Sequence, residues 1–189
     1  VMSLCSAGDH ILVSRAVFGA TVSLFDKYFK RFGIEVDYVP LSDLDALEGF
    51  SGQAVAEQAD NRGGSIWSKR ETRNPPHRAS LEAAFSDPDQ DVWVGLINEV
   101  PVGYAVASVE LLRTGEVLGI ISDLWVEPEA REVGVGEEMV NAIIEWCKER
   151  DCIGIDSLAL PGNRATKNFF ETFGFKARLL TVHHSLDIS

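Results

Sequence analysis

The stretch DLWVEPEAREVGVG, residues 123–136, contains the transition that decides the fold. A β-rich apolar run over 120–126 leads into it, and the loop that follows ends in Gly134-Val135-Gly136. Apolar residues then recur at helical spacing, which predicts a helix from Gly136 to Arg150. The sequence therefore predicts a strand, a glycine-rich loop and a helix in direct succession.

Such a loop has the chemistry of an anion site. The first N–H groups of a helix have no partner within the helix, and its dipole adds partial positive charge there, so a pyrophosphate fits. Gly134 and Gly136 would let the backbone approach phosphates, and Arg131 can add a charge-assisted contact. The loop lacks both the P-loop lysine and the third glycine of a dinucleotide fingerprint. On these residues alone, a glycine-rich turn without a ligand stays open.

The flanking sequence predicts the other elements of a mixed α/β domain. Strands over 92–97, 102–109 and 117–126 form an antiparallel meander with short turns. A strand over 153–160, a helix over 164–172 and a last strand over 178–186 follow. Before the meander, a helix runs from Ser42 toward Gln58, residues 60–79 form a polar loop around Trp67, and a short helix covers 77–85.

Two motifs carry a resemblance to a known family. REVGVG at 131–136 matches the R/Q-x-x-G-x-G/A motif of the GCN5-related N-acetyltransferases (GNAT). Downstream, Asn163-Arg164-Ala165 and FETFGF at 170–175 are similar to that family's N-x-A-x(4)-Y-E-x-x-G-F signature. The resemblance covers about 41–186. It implies a central, mostly antiparallel and splayed sheet flanked by helices, and we assign residues 46–189 to this domain.

The resemblance also implies acetyl-CoA as co-substrate. The backbone after Asp123 would pair with the pantetheine arm, and the strands carrying Leu124 and Leu158 would splay to admit it. The N–H groups of 132–137 would hold the pyrophosphate. The residues implied to bind the cofactor are Leu124, Trp125, Val126, Arg131, Glu132, Val133, Gly134, Val135, Gly136, Glu137, Asn163 and Phe170.

The implied reaction is direct attack of a primary amine on the thioester. We expect the N–H of Val126 to stabilise the oxyanion and Asp123 to act as the base, because a carboxylate beside a cleft can accept the amine proton. For Asp123, pairing with an arginine or capping a turn stays open, and Glu116 is the second choice. Phe170 stands where the family often has a Tyr that acts as general acid. A phenyl ring has no proton to donate, so water or another group must protonate the leaving thiolate of CoA.

Composition limits the partners. Lys+Arg is 17 against Asp+Glu 29, a net charge of -12, which argues against nucleic acid and anionic lipid. We expect a small-molecule or lysine-like amine as acceptor, with Trp67, Arg62, Arg70 and Arg73 either shaping its pocket or lying in a solvated loop.

Other features indicate a cytoplasmic protein without a metal. The three cysteines have neither disulfide nor metal-ligand spacing, which fits reduced thiols. No apolar run approaches the roughly 20 residues that span a bilayer. The edge of the last strand could pair two copies into a homodimer.

The front of the chain has a second resemblance. SAGDHILVSR at 6–15, Phe18-Gly19 and RFGIEV at 31–36 look like the PLP-dependent Cys/Met-metabolism enzymes, such as homoserine sulfhydrylases. The match covers about 2–47 and reads as strand, helix, strand. That family's S-x-T-K is absent, so we expect no functional PLP site. We therefore divide the chain into a fragment, 1–45, that is not functional alone, and an acetyltransferase domain, 46–189.

The sequence thus predicts an acetyl-CoA-dependent N-acetyltransferase. One alternative is a non-catalytic module that binds CoA or a partner, which Phe170 favours. The other is a remnant of a PLP-dependent sulfhydrylase.

Overall fold

The computed structural model describes residues 10–14, 35–39 and 44–186 of the 189-residue chain. Strands β1 (His10–Ser14) and β2 (Glu35–Val39) pair in parallel, with His10 opposite Glu35. Both strands were predicted, and the helix predicted between them lies outside the described residues. Within the described part, β2 therefore pairs with the other strand of the front fragment and not with the four-stranded sheet.

In the acetyltransferase-like part, three helices precede three consecutive strands, and a helix, a strand and a helix follow. Its polar loop over 60–79 contains one helix, α2, that the sequence did not predict. The elements are α1 (Leu44–Ala59), α2 (Gly64–Arg70), α3 (His77–Ser86), β3 (Gln90–Ile97), β4 (Val100–Leu111), β5 (Val117–Val126), a 3-10 turn (Pro128–Ala130), α4 (Val135–Lys148), β6 (Cys152–Ser157) and α5 (Arg164–Thr172).

One four-stranded sheet in the order β3-β4-β5-β6 organises this part. The first three strands are antiparallel, and β6 pairs in parallel with β5. Parallel neighbours need a crossover, which α4 supplies. The predicted mixed α/β class with a mostly antiparallel central sheet is confirmed.

Helix α4 seals one side of the sheet. Its stripe, including Val140, Ile143 and Cys147, is buried against Ala105 and Ile121 of the sheet. Close packing needs glycine at the contact: a Cβ on Gly119 of β5 would lie 2.5 Å from the Sγ of Cys147. The amphipathic period of α4 is thus matched by a strand face that leaves room for it.

Helices α1 and α3 bury a second apolar cluster. Leu47, Phe50 and Leu81 from the helices pack with Tyr104 and Trp125 from β4 and β5. The domain is therefore a sheet between helices, and Trp125 belongs to the core as well as to the strand that was predicted to meet the cofactor.

The strand predicted over 178–186 is wrong. Residues 175–186 have no regular secondary structure, and Leu179, Leu180 and Val182 are 76–86% exposed. Alternating apolar residues favour a strand only when an edge pairs with them. Arg178 forms an ion pair with Asp156 of β6, but no ladder forms.

Candidate active site

The parallel strands β5 and β6 separate to open a cleft. They pair from Val117 and Cys152 to Ile121 and Ser157. Beyond Ile121, β5 continues to Val126 without β6 and stays paired only with β4. The cleft has a volume of about 540 Å³ and reaches from α1 and α2 to the N-terminus of α4 and to α5. The splayed sheet that the resemblance implied is therefore present.

A β-bulge marks the point of separation. Val106 of β4 faces Asp123 and Ala107 faces Ile121, so Ser122 is the extra residue. Bulges re-aim side chains and are frequent beside functional sites. Here the bulge brings Ser122 and Asp123 to the wall of the cleft.

Beyond the bulge, the edge of β5 that faced β6 has no strand partner. Glu127 N–H donates to Val102 O on the β4 side at 2.8 Å. Peptide groups alternate along a strand, so those of Leu124 and Val126 point to the opposite edge, toward the cleft. Arg131 Nε accordingly donates to Val126 O at 2.9 Å. The N–H groups of Leu124 and Val126 therefore face the gap.

The glycine-rich loop presents a cluster of unpaired amides. Gly134 has φ +96°, and Glu138 N–H makes the first helical bond, to Gly134 O at 3.0 Å. Within residues 44–186, the N–H groups of 132–137 donate to no acceptor of the protein. A positive φ favours glycine, so Gly134 is what allows this turn. Of these six residues, Glu132, Gly136 and Glu137 line the cleft, whereas Val133, Gly134 and Val135 are not among its lining residues. Unpaired amides at a helix N-terminus suit a pyrophosphate.

Acidic side chains surround these amides. Glu132 and Glu137 line the cleft, and Glu137 and Glu138 occupy the first turn of α4. Carboxylates near a helix N-terminus stabilise the helix, but they repel a phosphate at the same place. Gly136 also lines the cleft, and a Cβ there would lie 3.4 Å from the ring of Phe169.

Arg131 is engaged at the mouth of the cleft. Its Nη1 and Nη2 donate to Glu57 Oε1 at 3.0 Å and Oε2 at 2.6 Å, and both side chains are 41% exposed. Hydrogen bonding from Arg131 lowers the pKa of Glu57 against the opposing effect of partial burial, and Trp125 Nε1, at 3.1 Å, lowers the pKa further. Nothing in the sequence signalled Glu57, which reaches this loop from α1.

Asn163 begins α5. Its Oδ1 accepts the N–H of Thr166 at 3.0 Å, and its Nδ2 donates to Gln58 of α1 at 3.2 Å. It also lines the cleft, and α5 brings Phe170 there. The Phe170 ring is buried, 5.2 Å from that of Phe175 between centroids, and offers no proton.

Asp123 lies in a nearly buried polar network. Arg73 Nη2 donates to its Oδ2 at 2.6 Å, with the two side chains 8% and 11% exposed. Tyr104 OH donates to Oδ1 at 2.9 Å, and Ser122 Oγ to Oδ2 at 2.7 Å. The arginine pair that the residues alone left open is present.

Tyr104 keeps its hydroxyl proton in this network. Burial raises its pKa far above the ordinary value, and the charge of Asp123 adds to the effect, against a lowering hydrogen bond with Ser51. Glu116, by contrast, accepts from Thr114 in a turn at 2.8 Å and is not among the residues that line the cleft.

A further part of the cleft wall is built by α1, α2 and the loop after α2. Trp67, Thr72 and Arg73 line it, with Ser51 and Ala54. Arg70 is 73% exposed and pairs with Glu71 at 3.4 Å, away from this wall. The loop over 60–79 therefore contributes to a pocket with part of its length only.

No helix in the described ranges is long and apolar enough to cross a membrane.

The front of the chain matches a family of PLP enzymes. Residues 1–56 match the model of Cys/Met metabolism PLP-dependent enzymes. Over 48 residues the chain is 81% identical to O-succinylhomoserine sulfhydrylase of Pseudomonas aeruginosa. These residues make up 25% of this chain and 12% of that enzyme. The second predicted resemblance is confirmed, and the chain spans only a small part of its relative.

Solved structures share the fold of the remainder. A tetramutant of the BH1408 protein of Bacillus halodurans aligns with TM-score 0.65 and 23% identity, covering 76% of this chain and 94% of that one. AAC(6')-Iy, in complex with the bisubstrate analog CoA-S-monomethyl-acetylneamine, aligns with TM-score 0.58 and 17% identity, covering 77% and 94%. At these identities the likeness is one of fold.

The family follows from a longer match. The model of the acetyltransferase (GNAT) family matches residues 56–175, from within α1 to the end of the second motif. This range contains the splayed strands, the loop of free amides and the asparagine that begins α5. The chain belongs, through this range, to the acetyltransferase (GNAT) family.

Proposed function

We propose that this protein is an acetyl-CoA-dependent N-acetyltransferase whose acceptor is a primary amine. One observation carries the proposal: the end of β5 that β6 leaves unpaired lines the same cleft as Glu132, Gly136 and Glu137, whose amides have no protein acceptor. Such an edge suits an amide-bearing chain, and the helix N-terminus suits the pyrophosphate at its end.

The proposed cofactor residues divide by task. The amides of Glu132, Val133, Gly134, Val135, Gly136 and Glu137 hold the pyrophosphate, with Arg131 beside them. The peptide groups of Leu124 and Val126 orient the pantetheine arm, and Trp125 anchors their strand to α1 through Glu57. Asn163 and Phe170 form the opposite wall.

Bound acetyl-CoA supplies an acetyl thioester. The amine nitrogen attacks the thioester carbon, the carbon–sulfur bond breaks with its electron pair going to sulfur, and the nitrogen then releases one proton to solvent. Before the attack the ammonium of the acceptor must give up another proton, because only the neutral amine has a lone pair. We assign that proton to Asp123 and stabilisation of the carbonyl oxygen to Val126 N–H. The thiolate takes its proton from water, since Phe170 has none to give.

For the acceptor we propose a small amine. The CoA analog in AAC(6')-Iy carries an acetylneamine, and a cleft of about 540 Å³ suits a small molecule. A lysine side chain presents the same primary ammonium and stays as the alternative. A cytoplasmic location and a division of the chain into 1–45 and 46–189 remain predictions. The homodimer loses its basis, because it was predicted from the edge of a last strand that residues 178–186 do not form.

A non-catalytic CoA-binding module is the second candidate, favoured by the phenyl ring of Phe170. The test is isothermal titration with acetyl-CoA, followed by an acetyl-transfer assay over a panel of primary amines. The proposal expects saturable binding and turnover of at least one amine. Binding without turnover on any amine supports the second candidate, and absence of binding contradicts both.

The front fragment needs a separate check. We propose that it forms no working PLP site. Incubation with PLP is expected to leave the absorbance spectrum free of a lysine-bound chromophore, and appearance of that band would contradict this assignment.

A further inference from the structure

We propose that Arg73 is a positioning residue, which aims the carboxylate of Asp123 at the amine of the acceptor. The inference rests on the proposed function, because it assigns a task to the acceptor end of the same cleft. It adds a residue that neither GNAT motif contains.

Arg73 ties three parts of the molecule to one guanidinium. It follows α2, and its Nη2 reaches Asp123 Oδ2 on β5 at 2.6 Å. Its Nη1 donates to Ser80 O and Ser80 Oγ of α3, each at 3.1 Å. The planar fork thereby fixes the direction from which the charge meets Asp123.

Burying the charges of Arg73 and Asp123 costs free energy of desolvation, which an apolar contact in the same place would not cost. Both charged side chains are about nine-tenths buried, and removing two charges from water can cost more than their attraction returns. Arg73 Nε is also buried without a partner among the described residues. A costly, incompletely satisfied network at the wall of a cleft suggests a task other than stability.

The donors around Asp123 leave room on one oxygen. Oδ2 accepts from Arg73 and Ser122, whereas Oδ1 accepts from Tyr104 alone. Each carboxylate oxygen offers about two acceptor positions. The larger unused capacity is therefore on Oδ1. Arg73 and Tyr104, which keeps its proton, together prevent the carboxylate from rotating away.

This geometry selects the reacting end of the acceptor. Asp123 is only 11% exposed, and Trp67 and Thr72 line the same end of the cleft. A primary ammonium is compact and carries three N–H donors, so it suits a carboxylate that is only slightly exposed at the wall of the cleft. A protonated tertiary amine carries the same charge but has three substituents and only one N–H.

The experiment is a double-mutant cycle. Arg73→Met, Arg73→Lys, Asp123→Asn and the Arg73→Met/Asp123→Asn double variant are assayed with the best amine of the panel, and acetyl-CoA affinity is titrated for each. Arg78→Met is the matched control, since Arg78 pairs with Asp45 and Glu82 away from the cleft. Thermal unfolding establishes that each variant is folded.

Arg73→Met is expected to lower kcat/KM for the amine about 100-fold with acetyl-CoA affinity within about twofold of wild type. The double variant should be no worse than Asp123→Asn, because Arg73 acts through Asp123. Arg73→Lys should recover part of the loss, and Arg78→Met should lose nothing. Wild-type kcat/KM in Arg73→Met, or losses that multiply in the double variant, would overturn the proposal.

A substrate-free readout separates this inference from the proposed function. In a crystal structure of Arg73→Met, we expect the Asp123 carboxylate to rotate away from Tyr104. An unchanged carboxylate overturns the positioning role even if no amine is ever turned over. Failure of wild-type protein to acetylate any amine sinks the proposed function instead.

Discussion

Two arginine–carboxylate ion pairs lie along the same cleft and differ sharply in their exposure to solvent. Beside the loop of free amides, Arg131 and Glu57 are both 41% exposed. Beside the β-bulge, Arg73 and Asp123 are 8% and 11% exposed. Exposed pairs contribute little and exchange partners readily, whereas a buried pair is costly to break. From this difference we predict that the Arg131–Glu57 pair, at the proposed cofactor site, rearranges for an entering phosphate, whereas the Arg73–Asp123 pair, at the proposed acceptor site, is fixed beforehand.

The largest expected effect is on stability. Asp123→Ala should lower the free energy of unfolding by about 3–5 kcal/mol, because it leaves the Arg73 charge buried without its partner. Glu57→Ala should cost at most about 1 kcal/mol. Urea unfolding of the two variants measures both numbers, and equal losses would remove the distinction between the two pairs.

A smaller effect is expected in cofactor affinity. Gly134→Val places a β-branched residue at φ +96°, which costs about 1–2 kcal/mol and displaces the amides, so acetyl-CoA should bind about tenfold more weakly. Gly115→Val is the control: it has φ +88° and equally open surroundings but lies in a turn between β4 and β5. Titration calorimetry should show weaker binding for Gly134→Val alone.

Glu57 should give a pH signature. Because its pKa is lowered in the folded protein, its stabilising effect is fully present above the ordinary pKa of 4.5 and is lost as the pH falls through the lower, folded value. The unfolding free energy of wild type should therefore exceed that of Glu57→Gln at neutral pH, by at most about 1 kcal/mol. This difference should fall toward zero as the solution is made acidic. A difference that grows in acid would contradict the assignment.

The smallest effect concerns the acidic first turn of α4. Glu137→Gln should tighten acetyl-CoA binding by about two- to fivefold, because a carboxylate that repels phosphate is removed. Glu138 shares that turn but is not among the residues that line the cleft, so Glu138→Gln should change affinity less. Added salt should shrink the difference between the two variants. Identical affinities at low salt would show that this charge does not reach the cofactor.

Local patterns predicted most of the fold. The apolar period of α4 and the β-rich runs of β3, β4 and β5 placed these elements near their observed bounds, because burial on one face leaves a period in the sequence. The segment 178–186 has the same alternation without a pairing edge, and so the pattern failed there. Helix α2 was missed because Gly63 and Gly64 dominate its start.

The site was predictable where backbone makes it and not where side chains meet across the fold. Glycine spacing revealed the amides around Gly134. The Arg73–Asp123 contact joins residues 50 apart and the Arg131–Glu57 contact residues 74 apart, and no local rule relates them. Nothing in the sequence distinguished Tyr104 from the rest of its predicted strand, and only tertiary packing places its hydroxyl on Asp123.

The most direct test of the central claim is an NMR titration of the 15N-labelled protein with CoA, following each backbone amide. The account predicts that the largest shifts, saturating with CoA, occur at the amides of 132–137, and that Gly134→Val reduces them. Shifts at these amides no larger than at the turn around Gly115 would contradict it.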